Sequence, residues 1–362
     1  MYLHERNIWP HFTWSENKIS PLLAATRQQQ GLLLGRLQQI GFSLQDEAEL
    51  EMRTLDVLKS SEIEGEMLNA AEVRSSVARQ LGIEEAGLVN SSRFVDGVVS
   101  MTLDATHNYK DDLTDSRLFG WQAALFPIGY NGMHKVLVGQ WRTSDMQVVS
   151  GPLGKEHIHY VAPVPQRVPQ EMKAFLRWFN TEAALDPVMK AALAHFYFVS
   201  IHPFDDGNGR IARAIADLQL ARSDGSPRRF YSMSNQIWIE KKDYYAVLER
   251  AQKGEGDLTA WMEWFLECLA RALQSSEQVL EGVFRRAEFW RAHESVTFNE
   301  RQRKMLQRLT GEFEGKLNSS KWQKMTGASQ DTALRDIQDL IRKGILKREE
   351  SGGRSTSYRL IW

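Results

Sequence analysis

A mostly α-helical protein follows from three features of the sequence. Apolar residues recur at helical spacing along most of the 362-residue chain. Helix-starting and helix-ending residues stand where those runs begin and stop. Strand-like alternation is confined to short runs between residues 136 and 161 and to the last few residues of the chain.

Taken in order, residues 1–19 carry Trp9, Pro10, Phe12 and Trp14 without a helical period. Ser20-Pro21 reads as N-cap and first residue of a helix. Leu22, Leu23, Leu32, Leu33, Leu34, Leu37 and Ile40 are its apolar positions, and Gly41 ends it. A second helix is expected from about Asp46, with Leu50, Leu55, Leu58 and Ile63 on one side, ending near Gly65. Further helices fill 69–126: Val95, Val98, Val99 and Leu103 mark one face, Leu118, Trp121 and Leu125 another, with Thr114 as an N-cap. After a turn-rich break at Pro127–Gly132, the alternation of Val136, Val138, Val148-Val149, Ile158, Tyr160 and Val161 around Gly151-Pro152-Leu153-Gly154 predicts a small β-hairpin. Val168–Thr181 is strongly amphipathic, whereas Pro187–Ser200 is apolar all round, as a central buried helix is. His195, between Ala194 and Phe196, is read as a core histidine. A helix opens at Tyr244, and a long helical stretch from Leu258 to about Ala292 closes the core.

The 45 basic and 46 acidic residues nearly cancel, so no overall field draws the chain to nucleic acid or membrane. Cys268 is the single cysteine, which excludes an intramolecular disulfide and suits a reducing compartment. No run reaches the roughly 18 apolar residues of a membrane span, and the first residues do not form a signal peptide. A cytoplasmic location is expected. No zinc site is expected, because the histidines are scattered and Cys268 has no cysteine partner.

The chemistry concentrates in His202-Pro203-Phe204-Asp205-Asp206-Gly207-Asn208-Gly209-Arg210-Ile211-Ala212-Arg213. The imidazole is a potential proton acceptor, and a carboxylate four residues later is a potential ligand for a hard cation. Gly-Asn-Gly supplies main-chain N–H groups at the entry to a helix read over Arg210–Arg222, an arrangement suited to anions. Arginines three apart share a helix face and can both reach a polyphosphate. As single residues these would be an ordinary polar turn; in this order they describe a phosphate site with a built-in base.

The twelve residues resemble the signature of the Fic family, H-x-F-x-[DE]-G-N-G-R-x-x-R, at every fixed position. The resemblance implies transfer of AMP from ATP to a hydroxyl side chain (Tyr, Thr or Ser) of a target protein or of the enzyme itself. His202 would be the base and Asp206 the Mg²⁺ ligand. Gly207, Asn208 and Gly209 would hold the α- and β-phosphates, Arg210 would pair with those phosphates and Arg213 with the γ-phosphate. Phe204 would be a buried anchor. Ser60-Ser61-Glu62-Ile63-Glu64-Gly65 resembles the family's inhibitory motif, [ST]-x-x-x-E-[GN], in the subclass with an N-terminal inhibitory helix; Glu64 would pair with Arg213. Residues Trp141 to Pro163 resemble the flap over the site, whose edge would take the target segment by main-chain pairing. Val148, Val149, Ser150 and Gly151 of the flap, with Tyr244, Tyr245 and Gln252, would bound the nucleotide pocket.

The last segment differs in composition. Residues 299–362 hold 14 Lys/Arg against 8 Asp/Glu, a net +6. Helices at Gln302–Leu309, Ser320–Met325 and Asp331–Lys343 precede two short strands around Gly352-Gly353-Arg354. This resembles a winged helix, with Arg335 on the recognition helix and Arg354 on the wing. DNA binding is one use of such a fold, and domain packing or homodimerisation another. The expected organisation is an N-terminal helical region with the inhibitory helix (1–110), a Fic-type helical core with a β-hairpin flap (111–293) and a winged-helix domain (294–362). Three alternatives stay open at this point: a nucleotide-sensing, DNA-binding transcription regulator; an AMP-removing relative; and a phosphorylating relative, against which Gly209 argues.

Overall fold

The computed structural model describes all residues except 85–86, 152–154, 156, 312, 314 and 350–355. The turns expected at Pro152-Leu153-Gly154 and Gly352-Gly353-Arg354 lie outside the described residues. Two compact units are present, Met1–Val279 and Leu280–Trp362.

The first unit is built around two helices. Helix α7 (Pro187–Ile201) is buried at every position from Val188 onward, and it packs most extensively against α8 (Asn208–Asp224). Asp186 starts α7 by accepting the Val188 N–H, with Pro187 at the first position, where no backbone donor is missed. His195 is buried within α7, and its Nε2 lies 2.9 Å from the Tyr244 hydroxyl. Burial pushes its pKa down to about 3, so it is a neutral core histidine.

Helices α1 (Glu16–Gln38), α2 (Phe42–Ile63), α3 (Ala70–Leu81), α4 (Arg93–His107), α5 (Asp115–Leu125) and α6 (Val168–Thr181) precede α7. Helices α9 (Met233–Ile239), α10 (Lys241–Gln252) and α11 (Thr259–Val279) follow α8. Helix α1 packs on α11, α2 on α9 and α3, and α4 on α8. The residues at 1–110 therefore form one body with the core.

Several boundaries differ from expectation, each for a tertiary reason. Helix α1 starts before Pro21, because Ser15 N–H donates to Thr259 Oγ1 (2.8 Å) and Thr13 N–H to the Gly256 carbonyl (2.9 Å), docking the chain ahead of the proline. Helix α2 starts four residues before Asp46: the Gln45 amide donates to the carbonyls of Leu37 and Ile40, tying the end of α1 to the start of α2. Helix α9 was not anticipated. Its N-cap Ser232 is held by the buried Asp56 of α2 (2.5 Å), a contact invisible along the chain. The stretch from Leu258 to Ala292 is two helices, α11 and α12 (Glu281–Ala292), parted at the boundary between the two units.

Short antiparallel pairs complete the first unit. Strands β1 (Tyr130–Asn131) and β2 (His134–Lys135) form a small hairpin, so Val136 and Val138 lie beyond it and not in the larger one. Strands β3 (Gln147–Ser150) and β4 (His157–Val161) pair with Ser150 opposite His157 and an irregularity at Val148/Val149. Cys268 is buried on α11, where burial pushes its thiol pKa well up.

The second unit holds α12, α13 (Glu300–Thr310), α14 (Ser319–Thr326), α15 (Gln330–Arg342) and the antiparallel pair β5 (Leu346–Arg348) and β6 (Tyr358–Leu360). Phe289 of α12 joins Met305, Leu306, Trp322, Ile337 and Leu340 in one apolar cluster. That packing assigns α12 to this unit and moves the boundary from the expected 293/294 to 279/280. No helix of the described residues is long and apolar enough to cross a membrane.

Candidate active site

Helix α7 ends at His202, whose backbone is left-handed (φ 51°, ψ 58°). A residue with a Cβ holds that conformation only where its surroundings impose it. Here the His202 N–H donates to the Phe198 carbonyl (3.1 Å), and the His202 carbonyl accepts from Arg142 Nε (2.7 Å). The ring Nδ1 lies 3.2 Å from the Val199 carbonyl. A carbonyl can only accept, so Nδ1 carries the proton and Nε2 keeps its lone pair. Burial pushes the imidazole pKa down to about 4, although the Val199 bond opposes this. At neutral pH the ring is an uncharged proton acceptor.

The loop from His202 to α8 is clamped at both ends. Phe204 is fully buried against Trp141, with ring centroids 5.0 Å apart. Asn208 closes the loop: its Oδ1 accepts from the Phe204 N–H (2.9 Å) and its Nδ2 donates to the Phe204 carbonyl (2.8 Å). Gly207 has φ +89° and precedes the first helical residue; a Cβ there would stand 3.0 Å from Leu125 and 3.1 Å from Phe126. Only glycine fits both the conformation and the space. The two aspartates face different tasks. Asp205 accepts from the Leu137 N–H (3.1 Å), while Asp206 accepts from the Gly207 N–H (2.6 Å) and from Asn131 Nδ2 (2.7 Å).

Arg142 joins this loop to the hairpin. Its guanidinium, 2 % exposed, donates to the carbonyls of His202, Ser144 (2.8 Å) and Pro163, and its backbone N–H donates to the Pro203 carbonyl (2.9 Å). The base of the β3–β4 hairpin is thus fixed to the loop that carries His202.

These elements enclose a cavity of about 690 Å³. The α7–α8 loop supplies His202 and Asp205–Gly209, the hairpin Gln147–Ser150, and α10 Tyr244, Tyr245 and Gln252. Burial raises the hydroxyl pKa of Tyr244 and lifts that of Tyr245 to about 12. Gly151 is exposed, with φ +102°, and is not among the residues lining the cavity.

The end of α2 closes the cavity from the side. Glu64 lines it, and Glu64 Oε1 lies 2.9 Å from Arg213 Nη1. Ser60 holds the same guanidinium, accepting from Nε at its hydroxyl (3.0 Å) and from Nη2 at its carbonyl (2.8 Å). Burial works against the Arg213 charge, yet the neighbouring Glu64 carboxylate holds its pKa above the ordinary value. A Cβ on Gly209 would stand 2.2 Å from Glu64 Oε1, so the carboxylate occupies space that this glycine leaves open. Gly65, at φ +85°, makes the turn out of the helix.

Residues 112–220 match the Fic/DOC family. Residues 2–83 match a domain of unknown function, DUF4172. Relatives include the protein adenylyltransferase Fic of Drosophila yakuba, 35% identical over 119 residues (32% of this chain, 22% of the relative). The adenylyltransferase fic-1 of Caenorhabditis elegans is 38% identical over 93 residues (25% and 17%), and the Fic adenylyltransferase of Nematostella vectensis 30% over 146 residues (39% and 30%). The matches therefore span less than a third of each of these relatives. A Fic family protein from Desulfovibrio desulfuricans shares the fold over 97% of this chain and 98% of its own, with a TM-score of 0.61 and 21% identity. A Fic domain-containing signalling protein from Bacteroides thetaiotaomicron does so over 73% of this chain and 97% of its own, with a TM-score of 0.52 and 20% identity. The fold is the mostly α-helical Fic fold.

Of the residues singled out in the sequence, Glu64, Val148, Val149, Ser150, His202, Asp206, Gly207, Asn208, Gly209, Tyr244, Tyr245 and Gln252 meet at the cavity. Arg210, Arg213 and Ser60 lie buried beside it. Sequence reasoning missed Arg142, Asn131 and Glu66; the last pairs with Arg210 at 2.6 Å. Glu66 was findable, since it stands two residues beyond Glu64, but nothing along the chain marks Arg142 or Asn131. The fold also brings His157, His159 and Glu249 together, with potential ligand atoms within 4.8 Å of one another. These groups are already engaged: His159 bonds Ser150 and Glu249 (2.6 Å each), and Glu249 pairs with Lys253 (2.5 Å).

Proposed function

We propose that this protein transfers AMP from ATP to a hydroxyl side chain of a target protein, or of itself, and that Glu64 holds the reaction in check. One observation carries the reading: a neutral His202, an open Gly-Asn-Gly turn and a carboxylate already paired with Arg213 share one cavity. In this reaction the target hydroxyl oxygen forms a bond to the α-phosphorus. The bond from that phosphorus to the bridging oxygen breaks, pyrophosphate leaves, and the hydroxyl proton passes to His202 Nε2. Gly207 turns the chain, and Asn208 and Gly209 present main-chain donors at the start of α8, where the helix dipole favours phosphate. Arg210 pairs with the α/β-phosphates and Arg213 with the γ-phosphate once each is free.

Asp206 fits a Mg²⁺ ligand. Its carboxylate lines the cavity and is oriented by Gly207 and Asn131, and Mg²⁺ is held by one or two carboxylates together with substrate phosphates. The ion, when bound, neutralises phosphate charge. The β3–β4 hairpin is the docking place for the target, because Val149 and Ile158 are exposed on it and strand addition uses such an edge. In the second unit, three helices followed by an antiparallel pair have the order of a winged helix, and Arg335 is exposed on α15.

Mass spectrometry of the protein after incubation with ATP and Mg²⁺ tests the reaction class. A gain of one AMP is expected; a gain of one phosphate would overturn the reading. Gel-shift binding to DNA without any ATP-dependent labelling would favour a nucleotide-sensing regulator instead.

A further inference from the structure

We propose that Glu66 is a second lock on the phosphate site, holding Arg210 as Glu64 holds Arg213, so that release of Glu64 restores part of the grip on a polyphosphate and the full grip needs both arginines free. The inference rests on the phosphate role given to Arg210 above, and it adds a residue that lies outside the inhibitory motif.

The turn after α2 explains how neighbouring carboxylates reach different arginines. Gly65 N–H donates to the Glu62 carbonyl (3.1 Å) and Glu66 N–H to the Ser61 carbonyl (3.0 Å), around a left-handed Gly65. This satisfies the last carbonyls of the helix and reverses the chain within one residue. Glu64 and Glu66 therefore leave the turn in different directions. Arg210 and Arg213, three apart on α8, present their guanidinium groups to the two of them. Glu66 Oε2 lies 2.6 Å from Arg210 Nη1, and Glu64 Oε1 lies 2.9 Å from Arg213 Nη1.

Arg210 depends on this partner. Its side chain is 1 % exposed, its guanidinium sits 5.2 Å from the Phe126 ring centroid, and the other carboxylate near it, Asp206, is 4.0 Å away. A buried guanidinium left without an anion is strongly disfavoured. Glu66 thus stabilises the nucleotide-free state. It also places a negative charge beside Asp206 and Glu64, where an incoming polyphosphate would add more. Burial raises the pKa of Glu66, Arg210 pulls it back, and Asp206 and Glu64 push it up again, as expected for a carboxylate in a crowded acidic site. Release of Glu64 alone leaves Arg210 committed to Glu66. On this account the brake has two parts with separate partners.

The test is Mg·ATP binding by calorimetry, together with the ATP-induced rise in Tm, for wild type, Glu64→Gly, Glu66→Gln and the double variant. Glutamine keeps an acceptor for Arg210 while removing the competing charge. The double variant is expected to bind ATP roughly 10-fold tighter than Glu64→Gly, since a charge-assisted bond no longer has to be broken. Adding Arg210→Ala to the double variant should remove that gain. If Glu66→Gln fails to fold, Glu66→Asp, which withdraws the carboxylate by one methylene, should give the same order of affinities. Equal ATP affinity and equal Tm shift in Glu64→Gly and the double variant would overturn the proposal, even if Glu64→Gly labels strongly. A gain from Glu66→Gln with no effect of Glu64→Gly would uphold the Glu66 lock on Arg210 but sink the Glu64 reading, and the two-part brake with it.

Discussion

Glu64→Gly is expected to raise AMP transfer by roughly 10- to 100-fold. The carboxylate makes a 2.9 Å charge-assisted contact with Arg213, whose side chain is 3 % exposed, while Glu64 itself is 31 % exposed. Bonds of this kind are worth about 1.5–3 kcal/mol, and the partial exposure of Glu64 places the effect toward the lower end. By the relation between barrier and rate, that energy corresponds to the stated range. Ser60 remains as a partner for two other nitrogens of the guanidinium, so Arg213 stays oriented when the carboxylate is gone. The glycine is also tolerated, because Glu64 is the last, half-helical position of α2 and Gly65 already makes the turn. Glu62→Gly is the control: Glu62 pairs with Lys59 at 2.7 Å, away from Arg213. The assay is incorporation of label from α-labelled ATP, for both variants beside wild type at equal protein. Adding Arg213→Ala to Glu64→Gly should abolish the gain. No activation by Glu64→Gly, or equal activation by Glu62→Gly, would refute the reasoning.

His202→Ala should lower transfer by ~10²–10⁴-fold while ATP affinity, read by calorimetry, changes little. With the His202 pKa pushed down to about 4, the acid limb of transfer should fall near pH 4 in wild type, not near the ordinary value of about 6.5. The same depressed pKa makes the histidine's contribution to stability complete above about 6.5 and progressively lost as pH falls through 4, which an acid titration of Tm would show. Asp206→Ala should lose Mg²⁺-dependent ATP binding, whereas Asp205→Ala should keep it and lose stability through the orphaned Leu137 N–H; identical behaviour of the two would refute the assignment. Arg142→Ala removes donors from the carbonyls of His202, Ser144 and Pro163 and should cost on the order of 3 kcal/mol, seen as a lower Tm with activity falling alongside.

Much of the helical framework was legible in the sequence because helices are local. Amphipathic spacing placed α6, the uniform apolarity of α7 marked the buried centre, and Thr114 was visible as the cap of α5, whose Arg117 N–H it accepts. The twelve residues at 202–213 were legible for the same reason: turn, glycine conformation and helix start all lie within one stretch. The boundaries that moved were those set across the chain. Docking of residues 13–15 on 256–259 carried α1 past Pro21, and Asp56 created α9 by capping at Ser232.

What the sequence determined by itself, then, is the mostly helical class and the local chemistry of a proton acceptor beside an anion cradle. Tertiary structure decided which distant groups that chemistry meets. Glu64 and Arg213 lie in separate helices, Glu66 reaches Arg210 through the Gly65 turn, Asn131 approaches the loop from the first hairpin, and Arg142 from the segment between the two hairpins. The pKa of His202 was likewise decided by the fold, since burial sets it and burial is a property of packing. Hydrogen bonds between neighbours follow from spacing along the chain, but an ion pair between segments well over a hundred residues apart exists only once the core has brought their backbones together.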